Sequence, residues 1–509
     1  MNERWIKSAL IGVQTESAFE IDGAIGALLA RVSESPDPAL NFARGSGVLA
    51  ACELASRSLD PSQQPLPAPA KADPNTLSRS HPWMSAITEV FASGPPHQAY
   101  EARLIDQACR RLADVGLTLP PILLPTALHT GQRSQALRSI LLPVLGPRGR
   151  WLAAQNPDWK YAASVLTASD EDSEMRVWQE ANHLDRLAFF RRLRASSAGE
   201  ARELLQASLS ELAATERADF VSAMNVNLHA DDAHLLDPLL KDRSRDVRFA
   251  AARLLACLPD SAHAQRLIGW VAALLVQKRG LLGKSWQLDA PQSANPTWGQ
   301  SAIEATRPQH DPLGERAWWL YQLVRQVPLG WWTAQTGMNP QGLVTWAIKS
   351  DWSAALIGAW QERVDAKDPE WVEALLGARK PNARTSTSDL LALLPVAQRE
   401  KHWPNQIDAL NKDGGLNDVI ASCAPGETLS CHYSKALLTS MLTCFEDDRL
   451  RHDYGLRVCL LELASLLHPD ALGRVIDLPR RADETPAMAD CTLAFERIIH
   501  VRAALHTHP

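Results

Sequence analysis

The chain has 509 residues, 46% of them hydrophobic, with 52 Lys and Arg against 58 Asp and Glu, a formal net charge of −6 and a pI near 6.2. That length can bury a large core, while the acidic balance gives no electrostatic reason to expect nucleic acid or an anionic membrane as partner. No apolar run approaches the roughly 20 residues that span a bilayer, and eight cysteines without a C-x-x-C pair predict reduced thiols and a cytoplasmic location.

The opening, MNERWIKSALIGVQTE, has too short an apolar patch for a signal peptide and predicts a helix with Trp5, Ala9, Leu10 and Val13 on one face. Residues 17–32 and 47–59 complete an N-terminal helical region, 1–59. Residues 60–82 then carry six prolines and no glycine, which predicts an extended linker over the surface, a strap or a Pro-rich ligand. Helices follow in a region 83–186, with 97–115 and 133–145 the clearest. Within it GPRGRW at 146–151 reads either as an anion-binding turn or as a helix-breaking turn between packed helices. The acidic runs DEDSE at 170–174 and EDD at 446–448 lack the ligand spacing and glycine of a calcium loop and read as solvated helix starts.

Region 187–282 has the clearest paired-helix periodicity. Phe220, Val221, Met224 and Leu228 form one face; Leu235, Leu236, Leu239 and Leu240 form the next, with Pro238 predicting a kink. After the turn Asp242-Arg243-Ser244, the residues Val247, Ala250, Ala251, Leu254, Leu255 and Leu258 recur at helical spacing and predict a buried face. Asp242 can accept from the free amides that open this helix and Arg248 can reach back to the turn, so both are expected to serve structure rather than a ligand. GLLGKS at 280–285 is two residues short of a phosphate loop and follows a helix instead of a strand. No alternating strand pattern stands out anywhere.

Residues 283–313, with Pro291, Pro296, Pro308 and Pro312, predict a helix-free loop long enough to be functional or flexible. Helices resume in a Trp-rich region, 314–509, with 453–467 and 487–505 the strongest. Seventeen Trp outnumber nine Phe and five Tyr. The doublets Trp318-Trp319 and Trp331-Trp332 place adjacent rings about 100° apart, so burying one ring of a pair leaves the other free to face a partner. These four are the candidate protein interface. Against chemistry, there is no H-E-x-x-H and no G-x-S-x-G, the Cys431-His432 neighbourhood has the wrong spacing for a zinc finger, and His500, His506 and His508 sit on the terminal tail. The expectation is a non-enzymatic chain with no catalytic, cofactor or metal residues.

The turn aspartate, the Val-Arg opening of the second helix and the small Ala residues on its packing face resemble a HEAT repeat. Such a unit cannot bury its apolar face alone, so the resemblance implies an all-α, HEAT-like α-solenoid of stacked antiparallel helix pairs with irregular Pro-rich connections. More specifically, LGPRGRWLAAQNPDW at 145–159, the repeat at 231–259, LGERAWWLYQLVRQVPLGWW at 313–332 and the N-terminal RWIKSALIGVQTE together resemble an uncharacterised bacterial family of HEAT-like proteins, a domain of unknown function. Members are often encoded beside a SWIM zinc-finger protein, a MoxR-type AAA+ ATPase and a von Willebrand factor A protein. The resemblance implies a protein-binding scaffold or accessory subunit of such an assembly, chaperone-like or defensive, and supplies no catalytic residue. The alternative is a nucleic-acid-binding or DNA-repair solenoid, similar in outline to the HEAT-like alkylpurine DNA glycosylases. Trp side chains with Arg186, Arg191, Arg192 and Arg194 would serve it, and the acidic balance opposes it.

Overall fold

Apolar residues at helical spacing, punctuated by Pro and Gly, carry most of this chain into helices. The computed structural model describes residues 3–13, 23–56, 67–163, 175, 178–179, 183–280, 283–378, 385–446, 449–473, 478 and 485–506. They fall into two compact units, Met1–Pro69 and Ala70–Pro509. The acidic run at 170–174, His508, and parts of the predicted helix 17–32, of the linker 60–82 and of the run 446–448 lie outside the described residues.

The first unit contains helices Glu3–Ile11, Gly23–Val32 and Pro38–Ser56. Trp5 is its anchor. The indole stacks on Phe42 with ring centroids 4.9 Å apart and donates from Nε1 to Ser46 Oγ at 2.8 Å. Gly45 makes that approach possible, since a Cβ there would stand 2.6 Å from the indole. Of the predicted apolar face Trp5 is buried and Val13 half-buried, whereas Ala9 and Leu10 are exposed.

Three hydrophobic cores build the second unit. One gathers residues from Trp178 to Leu255 with Ala302, the second residues from Leu267 to Leu394, and the third joins residues 77–163 to residues 391–505. The last core makes spatial order differ from chain order. Helix Pro486–His506 packs on Met84–Phe91 and Ala99–Asp114, far away in sequence. Polar groups fix that seam. Glu462 accepts from the Tyr100 N–H at the start of Ala99–Asp114 at 2.8 Å, where a carboxylate also meets the positive end of the helix. Arg502, fully buried, donates to the carbonyls of Ala464 (2.7 Å) and Leu467 as helix Tyr454–Ala464 ends, where orphan acceptors and the negative end of the dipole stand in for a carboxylate.

The strap leading into the unit is pinned rather than loose. Leu77 is buried, and Thr118 exchanges backbone hydrogen bonds with Asn75 and Leu77 at 2.9 Å each. The GPRGRW turn lies against it: Gly146 has φ +61, and a Cβ there would stand 2.2 Å from the Asp73 carboxylate. A carboxylate in that position favours the packing turn over the anion site.

In the first of these cores Val247, Ala251, Leu254 and Leu255 are all buried, as their spacing predicts, whereas Ala250 and Leu258 are half-exposed. Pro238 produces no kink inside a longer helix, because Ala233–Leu239 ends one residue after it. Sequence reading also missed a sheet. Leu275–Gly280 and Gly283–Leu288 pair antiparallel, in register from Leu275↔Leu288 to Gly280↔Gly283, so the predicted repeat region ends in a strand and the predicted loop begins in one. Val276–Arg279 are exposed on both faces of the ribbon, so no alternation was written into the sequence. The rest of the 283–313 segment is irregular apart from a short 3₁₀ turn, Trp298–Ser301.

Candidate functional site

The repeat turn comes first, because it sets the site's walls. Asp242 Oδ1 accepts from the Ser244 N–H at 2.7 Å and from Arg217 at 3.3 Å. Arg248 Nη1 donates to the carbonyls of Asp242 (2.8 Å) and Arg243 (3.0 Å). Arg248 thus ties helix Arg245–Leu255 to its own turn, and Asp242 ties that turn to Arg217 on helix Ala214–Ala223.

These two helices present matching stripes to solvent. Thr215, Ala218, Asp219 and Ser222 line one wall of a cleft of about 800 Å³, and Asp246, Phe249, Ala250 and Arg253 line its floor. Each set follows i, i+3, i+4, i+7, one face of a helix. Small residues at 218, 222 and 250 leave the space open, and this is why Ala250 faces the cleft instead of the core. The opposite wall comes from distant helix ends. Arg325 and Gln326 follow helix Glu315–Val324, and Glu362 and Arg363 end Ser353–Arg363.

The charges in the cleft are held in place. Phe249 lies between two guanidinium groups, with Arg245 5.0 Å and Arg325 5.9 Å from its ring centre. Arg325 also approaches Glu362 at 3.8 Å. Arg363 is anchored by donating to the Ala256 carbonyl and to Cys257 Sγ, each at 3.0 Å. Beneath the wall runs a buried polar ladder. Gln322 exchanges hydrogen bonds with the Glu304 backbone, Gln326 Nε2 donates to the Gln322 carbonyl, and Gln326 Oε1 is 3.0 Å from His263 Nε2. Because that oxygen can only accept, His263 donates from Nε2 and is neutral; burial pushes its pKa down to about 4.

This arrangement offers donors, acceptors and one aromatic face. Among the described residues no group of three or more His, Cys, Asp and Glu is placed to hold a metal.

The predicted interface tryptophans mostly lie inside. Trp318, Trp319 and Trp332 are buried, so the 318–319 doublet leaves neither ring free, against the expectation. Trp319 donates to the Ala305 carbonyl at 2.7 Å, and Trp332 meets Trp331 on one side and Trp360 on the other, at 5.0 and 5.3 Å between centroids. In that first doublet the space between helices takes both rings. Trp331 alone of the four keeps a partly exposed ring. Of the arginines weighed for nucleic acid, Arg194 is fully buried in a two-point pair with Asp232 at 2.8 and 3.1 Å, and Arg186 stacks on Trp178 at 4.8 Å; Arg191 and Arg192 are exposed. The cleft itself escaped sequence reading. Its two stripes were legible as small residues and charges at helical spacing, but nothing local joined them to Arg325 and Arg363.

No curated protein and no solved structure matches the chain. Residues 4–509 match a family of unknown function, DUF5691, and the chain belongs to that family.

Proposed function

We propose that this DUF5691 protein is a non-enzymatic, HEAT-like repeat scaffold that holds a segment of another protein in the cleft between residues 214–256 and 325–363. The observation that carries this reading is the cleft's two-signed lining: Asp219, Asp246 and Glu362 share it with Arg253, Arg325 and Arg363 around Phe249. Side chains of both signs beside an aromatic face suit a peptide, which brings charges and hydrogen-bonding groups of both kinds. A polyanion would meet three carboxylates there. The resemblance to HEAT-like proteins encoded beside a MoxR-type AAA+ ATPase, a von Willebrand factor A protein and a SWIM zinc-finger protein supplies the candidate partners, and makes the chain an accessory subunit of a cytoplasmic bacterial assembly.

The test fills the cleft. Ala250→Arg places a long side chain in it from a helix-compatible, half-exposed position. Binding of the purified neighbour-encoded ATPase and von Willebrand factor A protein, measured by calorimetry, is expected to weaken at least tenfold while the melting temperature stays within about 2 °C. Absence of binding by either protein, or binding indifferent to Ala250→Arg, would overturn the assignment.

A further inference from the structure

The six charges that line the cleft are sorted along it. Helices Ala214–Ala223 and Arg245–Leu255 pack on each other, and Arg217, in the first turn of the former, reaches Asp242, just before the latter begins, at 3.3 Å. In an antiparallel pair Arg217 would lie near the far end of Arg245–Leu255, about 15 Å away along the axis, so the two helices run in the same direction. Asp219, close after Arg217, therefore stands at the same end of the cleft as Asp246, in the first turn of the floor helix. Arg253 lies seven residues further on, about 10.5 Å along the axis. Arg363 joins it there, because its anchors, the Ala256 carbonyl and Cys257 Sγ, lie just past the last turn of that helix.

Between the acidic and the basic end the charges cancel. Arg325 approaches Glu362 at 3.8 Å and Arg245 pairs with Glu304 at 2.6 Å, with the Phe249 ring between the two guanidinium groups. The end charges stay available. Asp246 and Arg253 are exposed and have no hydrogen-bond or ion-pair partner among the described residues. Asp219 accepts from His183 Nε2 at 2.8 Å and still keeps half of its side chain in solvent. An acid in the first turn and a base in the last turn stabilise any helix. That accounts for Asp246 and Arg253, but not for Asp219 and Arg363, which come from other helices and add the same sign at the same end.

We propose that the cleft selects, in the protein segment it holds, a basic and an acidic residue three to four positions apart with an apolar residue between them. This rests on the reading of the cleft as a peptide site and adds the sequence rule of its ligand. Extended chain advances about 3.3 Å per residue, so three residues cover the distance from Asp246 to Arg253. The segment's cation meets Asp219 and Asp246. Its carboxylate meets Arg253 and Arg363, where a guanidinium can offer two parallel N–H groups, and its apolar side chain lies on Phe249. A segment of one sign meets like charge at one end, so the sorted cleft rejects as well as selects. Side chains alone set the pattern, and either chain direction satisfies it.

Panning a phage-displayed library of random peptides, roughly 12 residues long, on the full-length protein, with Ala250→Arg as counter-selection, tests this. Enriched sequences are expected to carry Lys or Arg and Asp or Glu three to four positions apart, and the leading synthetic peptide to bind Ala250→Arg at least about tenfold more weakly in calorimetry. Arg253→Glu, at an exposed helix position, is expected to weaken that peptide about fivefold or more and to prefer its derivative with Lys in place of the acid. Arg253→Gln should weaken the leading peptide without creating the new preference, and both variants should melt within about 2 °C of the parent. Enrichment of uncharged or single-signed sequences, or an Arg253→Glu variant that keeps the parent's preference, overturns the charge rule and leaves the cleft as a binding site. Leading peptides indifferent to Ala250→Arg overturn both. If no sequence is enriched the charge rule fails, and the cleft itself then stands or falls with the calorimetry of the neighbour-encoded proteins.

Discussion

His263 shows how one residue's environment sets its chemistry. It is fully buried, donates to Gln326 and leaves Nδ1 without a hydrogen-bond partner, so charging it would put a cation where no carboxylate answers. Its folded pKa, about 4, lies below the ordinary 6.5. Between those values the unfolded chain binds the proton and the folded chain does not. The associated stability is therefore fully present above pH 6.5 and is lost as pH falls toward 4, by ~3 kcal/mol at most. Thermal unfolding at a series of pH values is expected to show this loss in the parent, with a shallower acid limb in His263→Gln; parallel limbs would mean that His263 does not drive it. Asp232 is the opposite case, a buried charge fully answered. Asp232→Ala strands Arg194 without its counter-charge and is expected to cost ~3–5 kcal/mol, read from denaturant midpoints, whereas a surface pair would cost under ~1.

At the scale of elements, a helix in this protein serves two masters. Arg245–Leu255 turns Val247, Ala251, Leu254 and Leu255 inward and Asp246, Phe249, Ala250 and Arg253 toward the cleft. The two faces predict opposite mutational outcomes. Leu254→Asp buries an unpaired charge and should cost several kcal/mol, on the order of 3–5, seen as a large drop in melting temperature. Ala250→Arg, four residues earlier, should leave melting alone and act on binding. If both variants melted alike, the division of this helix into a packing face and a binding face would be wrong.

For the whole molecule, the informative feature is that the end of the chain completes a core begun near residue 77. Phe495, Ile498, Ile499 and Val501 are buried in the same cluster as Trp83, Ile87, Ile105 and Leu112. Deleting residues 486–509 should therefore destabilise helices Met84–Phe91 and Ala99–Asp114, which are remote in sequence. Amide hydrogen exchange is expected to show lost protection in both. Protection kept there, with loss confined to the neighbouring helix Tyr454–Ala464, would show that the N-terminal part stands alone.

Sequence by itself determined the helical class, because apolar spacing of 3.6 is a local property that burial then uses. It also determined that Val247, Ala251, Leu254 and Leu255 pack inward, and the local bonds of the turn, from Ser244 to Asp242 and from Arg248 to the carbonyls of 242 and 243; the bond from Arg217 to Asp242 comes from 25 residues away. The tertiary structure decided whatever depended on distant neighbours. Whether Trp318, Trp319 and Trp332 were buried turned on the width of the gaps between helices. Whether Ala250 faced a core or a cleft turned on Arg325 and Arg363, which arrive more than 70 residues later. The hairpin was invisible for a physical reason of its own. A ribbon whose first strand is exposed on both faces has no apolar alternation to display, and its place is fixed by hydrogen bonds of Trp286 and Trp346 to groups 50 and 60 residues away in the chain.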